Sequence, residues 1–233
     1  MSLKTVEITA DKIQNREKRI KIIKRAILII FLILLFLFLI LSLIYKGGHF
    51  TITLDPNFSV KSGIVIYSDP EEQRVYRKLY ATDIDFMDNI SVKWLPNDIG
   101  DFKGGAHNGD NYIAYTFYID NRGEEILHYW YEIYLDDVIK NVDEALRIMI
   151  ILNGEKTIYA KPNSEDKPEK DTEMFYSEQL AVLNVRENFN PGQIDKMTIV
   201  IWLEGDDPDC VDAIIGGEIK MHMEIKEEHI EQK

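Results

Sequence analysis

The 233-residue sequence predicts an all-β fold: a jelly-roll-like antiparallel β-sandwich preceded by a single transmembrane helix. Three observations predict it. Ala26 to Tyr45 is an uncharged run of Leu, Ile and Phe interrupted by one strongly polar residue, Ser42. Past Lys46 the pattern changes to short apolar runs rich in Ile, Val, Tyr and Phe, separated by Gly, Asn, Asp and Pro clusters, which is the punctuation of strands. The runs do not alternate with long helical periods, so a parallel α/β sheet is excluded in favour of a sandwich.

The N-terminal element follows from length and charge. Twenty residues at about 1.5 Å rise give a helix of about 30 Å, the thickness of a bilayer core. Residues 1–25 hold eight Lys/Arg against Glu7, Asp11 and Glu17, and only Lys46 follows the apolar run closely. The positive-inside rule then puts residues 1–25 in the cytoplasm, 26–45 in the membrane and 46–233 outside, as a single-pass cell-membrane protein. The apolar run is longer than a signal-peptide core, and Tyr45 and Lys46 occupy the −3 position of the plausible cuts, so the segment reads as an uncleaved signal anchor. The lipid bilayer, through residues 26–45, is the first partner the sequence names.

The formal charge of −13 conceals an asymmetry, because residues 47–233 alone carry −19. Such acidity repels phosphates and excludes nucleic acid as a partner. Cys210 is the only cysteine, so no internal disulfide staples the outer domain, and a small buried hydrophobe is its simplest reading.

Strands are expected at 51–54, 63–68, 90–95, 112–120, 126–135, 146–152, 157–160, 180–185, 196–204 and 218–226. In the fourth, Ile113, Tyr115, Phe117 and Ile119 share the core-facing side. Asp120-Asn121-Arg122-Gly123 predicts a hairpin into the next strand, and Asn153-Gly154 predicts another. Residues 136–146 read as a short helix capped by Asp136 or Asp137, and 160–171 as a charged, Pro-containing exposed loop.

One stretch is sharper than the rest: Trp202-Leu203-Glu204-Gly205-Asp206-Asp207-Pro208-Asp209-Cys210, followed by Gly216-Gly217 and a final strand. This pattern resembles the C-terminal part of the camelysin/TasA-like family of matrix proteins secreted by Gram-positive bacteria. The resemblance covers 199–225 well and the strand pattern from Tyr112 loosely. It implies a jelly-roll domain outside the cell and a protein partner in surface or matrix assembly, in some members through an N-terminal strand donated to a neighbour. The equivalent segment here is Gly48 to Leu54, and it follows the apolar run so closely that the tether constrains it. Gly47-Gly48-His49-Phe50 stands where the family has its cleavage region. The function expected on this ground is that of a membrane-anchored surface or matrix assembly protein.

Other motifs are weaker. Asp206, Asp207, Asp209 and Asp212 present carboxylates suited to a hard cation, so calcium is the one cofactor the sequence suggests, although such loops more often cap a helix or are solvated. His49, His107, His128, His222 and His229 include no HExxH, and no GxSxG elbow occurs, so no catalytic residue is named and an enzyme is not expected. His222 and Glu224 share one side of a strand. Trp130 and Tyr134 share the more polar face of theirs with His128 and Glu132, an arrangement that sugar-binding sandwiches use for stacking. A carbohydrate-binding envelope module is therefore the alternative function.

Overall fold

The computed structural model describes residues 3–46, 50–55, 63–82, 84 and 86–229. The chain divides into two compact units near residue 48. The first is one helix, α1, Leu3–Lys46, which extends the expected 26–45 segment backwards through the basic residues. The reason is composition: residues 1–46 contain neither Gly nor Pro, and Lys, Arg, Glu, Gln, Ile and Leu all tolerate a helix. Within α1, Lys18–Leu41 is long and apolar enough to cross a membrane, and its large apolar side chains are exposed.

The second unit is a β-sandwich. One sheet has five strands in the order β10 (Leu180–Phe189), β6 (Leu127–Ile139), β12 (Glu218–His229), β1 (Thr51–Leu54) and β3 (Lys78–Tyr80). The other runs β2 (Ile64–Tyr67), β5 (Ile113–Asn121), β11 (Ile194–Leu203), β7 (Leu146–Leu152), β8 (Glu155–Ala160) and β9 (Glu173–Met174), with β4 (Gly105–Ala106) beside β5. Pairing is antiparallel except for β1 with β12 and β8 with β9.

The central core lies between the sheets. Tyr115, Phe117 and Ile119 enter it from β5, as their alternation predicts, and meet Tyr129, Tyr131 and Ile133 of β6 and Met223 and Ile225 of β12. A second core covers the outer face of the six-strand path. There Ala114, Met149, Ile151, Val200 and Trp202 pack under Ile90, Leu95 and Ile99. Both faces of β5, β11 and β7 are thus buried, which explains near-continuous apolar runs such as Leu146-Arg-Ile-Met-Ile-Ile-Leu152.

Three expectations are corrected. Asp120-Asn121-Arg122-Gly123 is not a hairpin, because β5 and β6 belong to different sheets. It is a corner, fixed by Asn121, whose buried Nδ2 donates to the Phe189 carbonyl at 2.9 Å. Gly63 backs onto it at φ +77°, where a Cβ would lie 2.2 Å from the Gly123 nitrogen. Residues 136–146 are not a helix, since β6 continues to Ile139 against Glu218, Ile219 and Lys220 of β12. A helix there would forfeit that ladder, and only Val142–Glu144 make a 3-10 turn. Residues 90–95 are not a strand: Ile90 makes one bridge to Glu204, and Val92–Trp94 form a 3-10 turn capped by Ser91. The brief strands β3, β4 and β9, two or three residues each, carry no periodic signal and were not expected. The Asn153-Gly154 hairpin is present, with both residues at positive φ, 52° and 91°, as a type I′ turn requires.

Candidate functional site

Two features collect the polar chemistry. The first is the corner after β11. Trp202 is fully buried, and its Nε1 donates to Glu204 Oε2 at 3.0 Å. The same oxygen accepts from the Val92 amide at 3.0 Å, and Oε1 accepts from the Asp206 amide at 3.2 Å. Asp207 is buried against Arg147 of β7 in an ion pair, while its Oδ1 accepts from the Asp209 amide at 2.8 Å. Asp206 takes Ser91 Oγ at 2.8 Å and Lys93 Nζ at 3.1 Å, and those two bonds hold its carboxyl below the usual range. Together with the backbone bonds that Leu203 and Gly205 exchange with Ile90 and the one from Glu204 to Ala145, these contacts fasten the loop of residues 88–94 and the start of β7 to the end of β11. Cys210 is half-buried, with Asn89 Nδ2 at 3.0 Å from its sulfur.

The four aspartates suggested for calcium do not converge. Asp206 is engaged with Ser91 and Lys93, and Asp212 stands exposed in a separate 3-10 turn. Asp207 and Asp209 instead approach Glu169, their carboxylate oxygens lying within 4.8 Å of one another. Glu169 comes from the charged loop of residues 161–172, 38 positions before Asp207 in the chain, so no local spacing signals it.

The second feature is the outer face of the five-stranded sheet. Trp130 and Tyr134 both lie on it and are half-buried, as alternation along β6 predicts. Cross-strand register brings His222, Glu224 and Lys226 of β12 opposite Tyr134, Glu132 and Trp130. Lys226 Nζ sits 2.5 Å from Glu132 and 3.1 Å from Glu224, and Tyr134 donates to Glu132 at 2.5 Å. Partial burial pulls the Lys226 ammonium down, but its bonds to Glu132, Glu224 and Tyr134 outweigh burial and raise it above its ordinary range. His222 stacks on the Tyr134 ring with centroids 5.0 Å apart, and its Nδ1 lies 2.8 Å from Asp136. One face of Tyr134 is therefore taken by a protein ring. Sequence spacing pairs His222 with Glu224, at 3.7 Å in the structure, but not with Tyr134 or Asp136, which are strand neighbours only after folding.

The remaining histidines are dispersed. His107 stacks on Phe102, with its Nδ1 3.1 Å from the Gly105 carbonyl and its Nε2 3.3 Å from the Ile99 carbonyl, and His128 accepts from the Asn188 amide at 3.1 Å. His49 and the His229 side chain lie outside the described residues.

No protein-family model and no curated protein matches the chain. Among solved structures it is similar, at 12% identity over 69% of its length, to 15% of a β-glucosidase from Kluyveromyces marxianus in complex with glucose, with a TM-score of 0.24. A selenomethionine-labelled form of that enzyme aligns at 16% identity over 76% of this chain and 16% of its own, with a TM-score of 0.23. The chain spans about a sixth of those enzymes, and likenesses this slight carry no argument about function.

Proposed function

We propose that the protein is a single-pass, membrane-anchored surface protein of the camelysin/TasA-like type, with its basic N-terminal segment in the cytoplasm and its sandwich outside, serving surface or matrix assembly. The observation that carries the reading is the coupling of a complete sandwich to a helix whose side chains from Ile20 to Leu41 are exposed. About 25 cal/mol per Å² of exposed apolar surface makes such a helix strongly unfavourable in water and favourable in lipid. The Trp-Leu-Glu-Gly corner that motivates the family reading has a concrete task, tying three segments together, and so belongs to the domain's architecture.

The N-terminal strand supports a monomer or a basal partner over an interior fibre subunit. β1 is an internal strand, parallel to β12 on one side and antiparallel to β3 on the other, so donating it to a neighbour means first opening its own sheet. Labelling tests the orientation. In a Cys210→Ser background, a cysteine placed by Asp166→Cys reacts with an impermeant maleimide added outside intact cells; reaction only after the cytoplasm is opened reverses the topology. Electron microscopy tests assembly: long homopolymers of the full-length chain contradict the basal role.

The carbohydrate reading keeps one supporting observation, the placement of Trp130 and Tyr134 on the same outer face. Glycan-array binding that disappears in Trp130→Ala replaces the assembly reading with it.

A further inference from the structure

Strand directions sort the loops of the sandwich into two ends. β1 starts where β3, β6 and β11 finish and where β7, β10 and β12 begin. The loops at this end, with the short strand stretches that flank or interrupt them, comprise residues 86–94, 107–112, 136–147, 161–179 and 204–218. Among the described residues of the sandwich, the large hydrophobic side chains more than half exposed are Tyr80, Phe86, Trp94, Tyr176, Val211 and Ile215. All six lie at or beside this end. The opposite end offers Ile126 and Ile194, each less than half exposed.

Four of these segments are fastened together. Ser91 and Lys93, just before Trp94, bond Asp206; Asn89 bonds Cys210, next to Val211; Arg147 pairs with Asp207; and Lys161, at the start of the loop leading to Tyr176, pairs with Asp143 and Glu144. The exposed rings consequently stand on a braced surface. Charge is equally uneven, for the five loops hold eighteen Asp/Glu against six Lys/Arg. Four of the six are already paired within the end: Lys93 with Asp206, Arg147 with Asp207, Lys161 with Asp143 and Glu144, and Lys167 with Glu165.

We infer that this end is a docking surface for a basic, Lys/Arg-bearing polypeptide segment of another protein. Exposed rings of Trp94, Phe86 and Tyr176 offer faces to guanidinium and ammonium groups, and the surrounding carboxylates supply charge-assisted hydrogen bonds. A second copy of the same end brings like charge to like charge, and an anionic lipid surface does the same, so complementarity selects a cationic chain. The inference rests on the assembly reading and deepens it by naming the partner's chemistry; its test is separate, because anchoring and orientation are read by labelling.

The experiment uses the full-length chain in phosphatidylcholine nanodiscs and an alternating Lys/Arg octapeptide, with binding measured by calorimetry over a salt series. Trp94→Ser with Tyr176→Ser is expected to weaken binding by roughly tenfold or more. Glu72→Gln with Glu124→Gln, exposed charges elsewhere, is expected to change it by less than about twofold. Trp94→Phe with Tyr176→Phe keeps the ring faces and retains binding, which separates recognition from misfolding. Equal losses from the serine and glutamine pairs, or no loss from the serine pair, reduce the effect to general attraction by an acidic protein and overturn the inference. Binding to phosphatidylglycerol vesicles without binding to the peptide overturns it in favour of lipid.

Discussion

The Arg147–Asp207 pair offers the most direct measurement of what holds the corner after β11. The two side chains are 5% and 1% exposed, and their remaining groups are occupied: Arg147 Nη1 donates to the Leu146 carbonyl at 3.0 Å, and Asp207 Oδ1 accepts from the Asp209 amide. Asp207→Asn keeps the shape but leaves a guanidinium buried without its counter-charge. The cost of orphaning one member of such a pair is about 3–5 kcal/mol, to be set against about 5–15 kcal/mol for a whole domain. At about 2–4 °C per kcal/mol for a domain of this size, the midpoint falls by roughly 6–20 °C. Arg147→Met should cost a similar amount. In Arg147→Met with Asp207→Leu no charge remains to be desolvated, and the double variant should recover to within about 2 kcal/mol of the parent. Urea unfolding of the full-length chain in detergent, followed by circular dichroism of the strands, gives the three values. Single variants costing less than about 1 kcal/mol, or a double variant equal to the sum of the singles, would falsify the claim that a desolvated ion pair braces this corner.

Three further outcomes are expected. Tyr129 is raised by burial and then by the Asp195 carboxylate its hydroxyl bonds at 2.7 Å, and Tyr131 by burial and then by Tyr159 and Glu173. Because both pKa values are higher folded than unfolded, their contribution is complete below about pH 10 and lost above it, by up to about 1.4 kcal/mol per pH unit for each group; absorbance at 295 nm should show these two rings ionising only as the strands unfold, and ionisation in the folded state refutes it. Gly104→Ala should destabilise by about 1–3 kcal/mol, since its Cβ meets the Ser68 carbonyl oxygen at 1.8 Å, whereas Gly154→Ala, at φ +91° in open space, costs only backbone strain of about 1 kcal/mol; denaturant midpoints in the reverse order contradict the packing argument. Calcium at millimolar concentration should leave the thermal midpoint where a chelator leaves it, because Asp207 is committed to Arg147; a rise that Glu169→Gln abolishes would establish a cation site at Glu169, Asp207 and Asp209.

Much of the architecture was legible because its signals are local and periodic. An uncharged apolar run, alternation in 113–119 and an Asn-Gly turn each impose their structure within a few residues, and the structure contains the apolar helix, the core-facing side of β5 and the type I′ hairpin. Period two likewise placed Trp130 and Tyr134 together on the polar face of β6. What the residues could not disclose depends on which strands become neighbours. Asp120-Asn121-Arg122-Gly123 has hairpin chemistry, but the buried Asn121 amide is satisfied by Phe189, 68 positions away, so the chain changes sheets there. Residues 136–139 have capping aspartates and still extend β6, because the β12 ladder offers more hydrogen bonds than one short helix. The acidic loop shows the same division. Its composition reads as four candidate ligands, whereas folding turns Asp207 to Arg147, Asp206 to Ser91 and Lys93, and Glu204 to Trp202 and Val92. Local sequence determines the period and charge of each segment. Only tertiary structure decides each polar group's partner, because partners separated by tens of residues are chosen by the packing of the sheets.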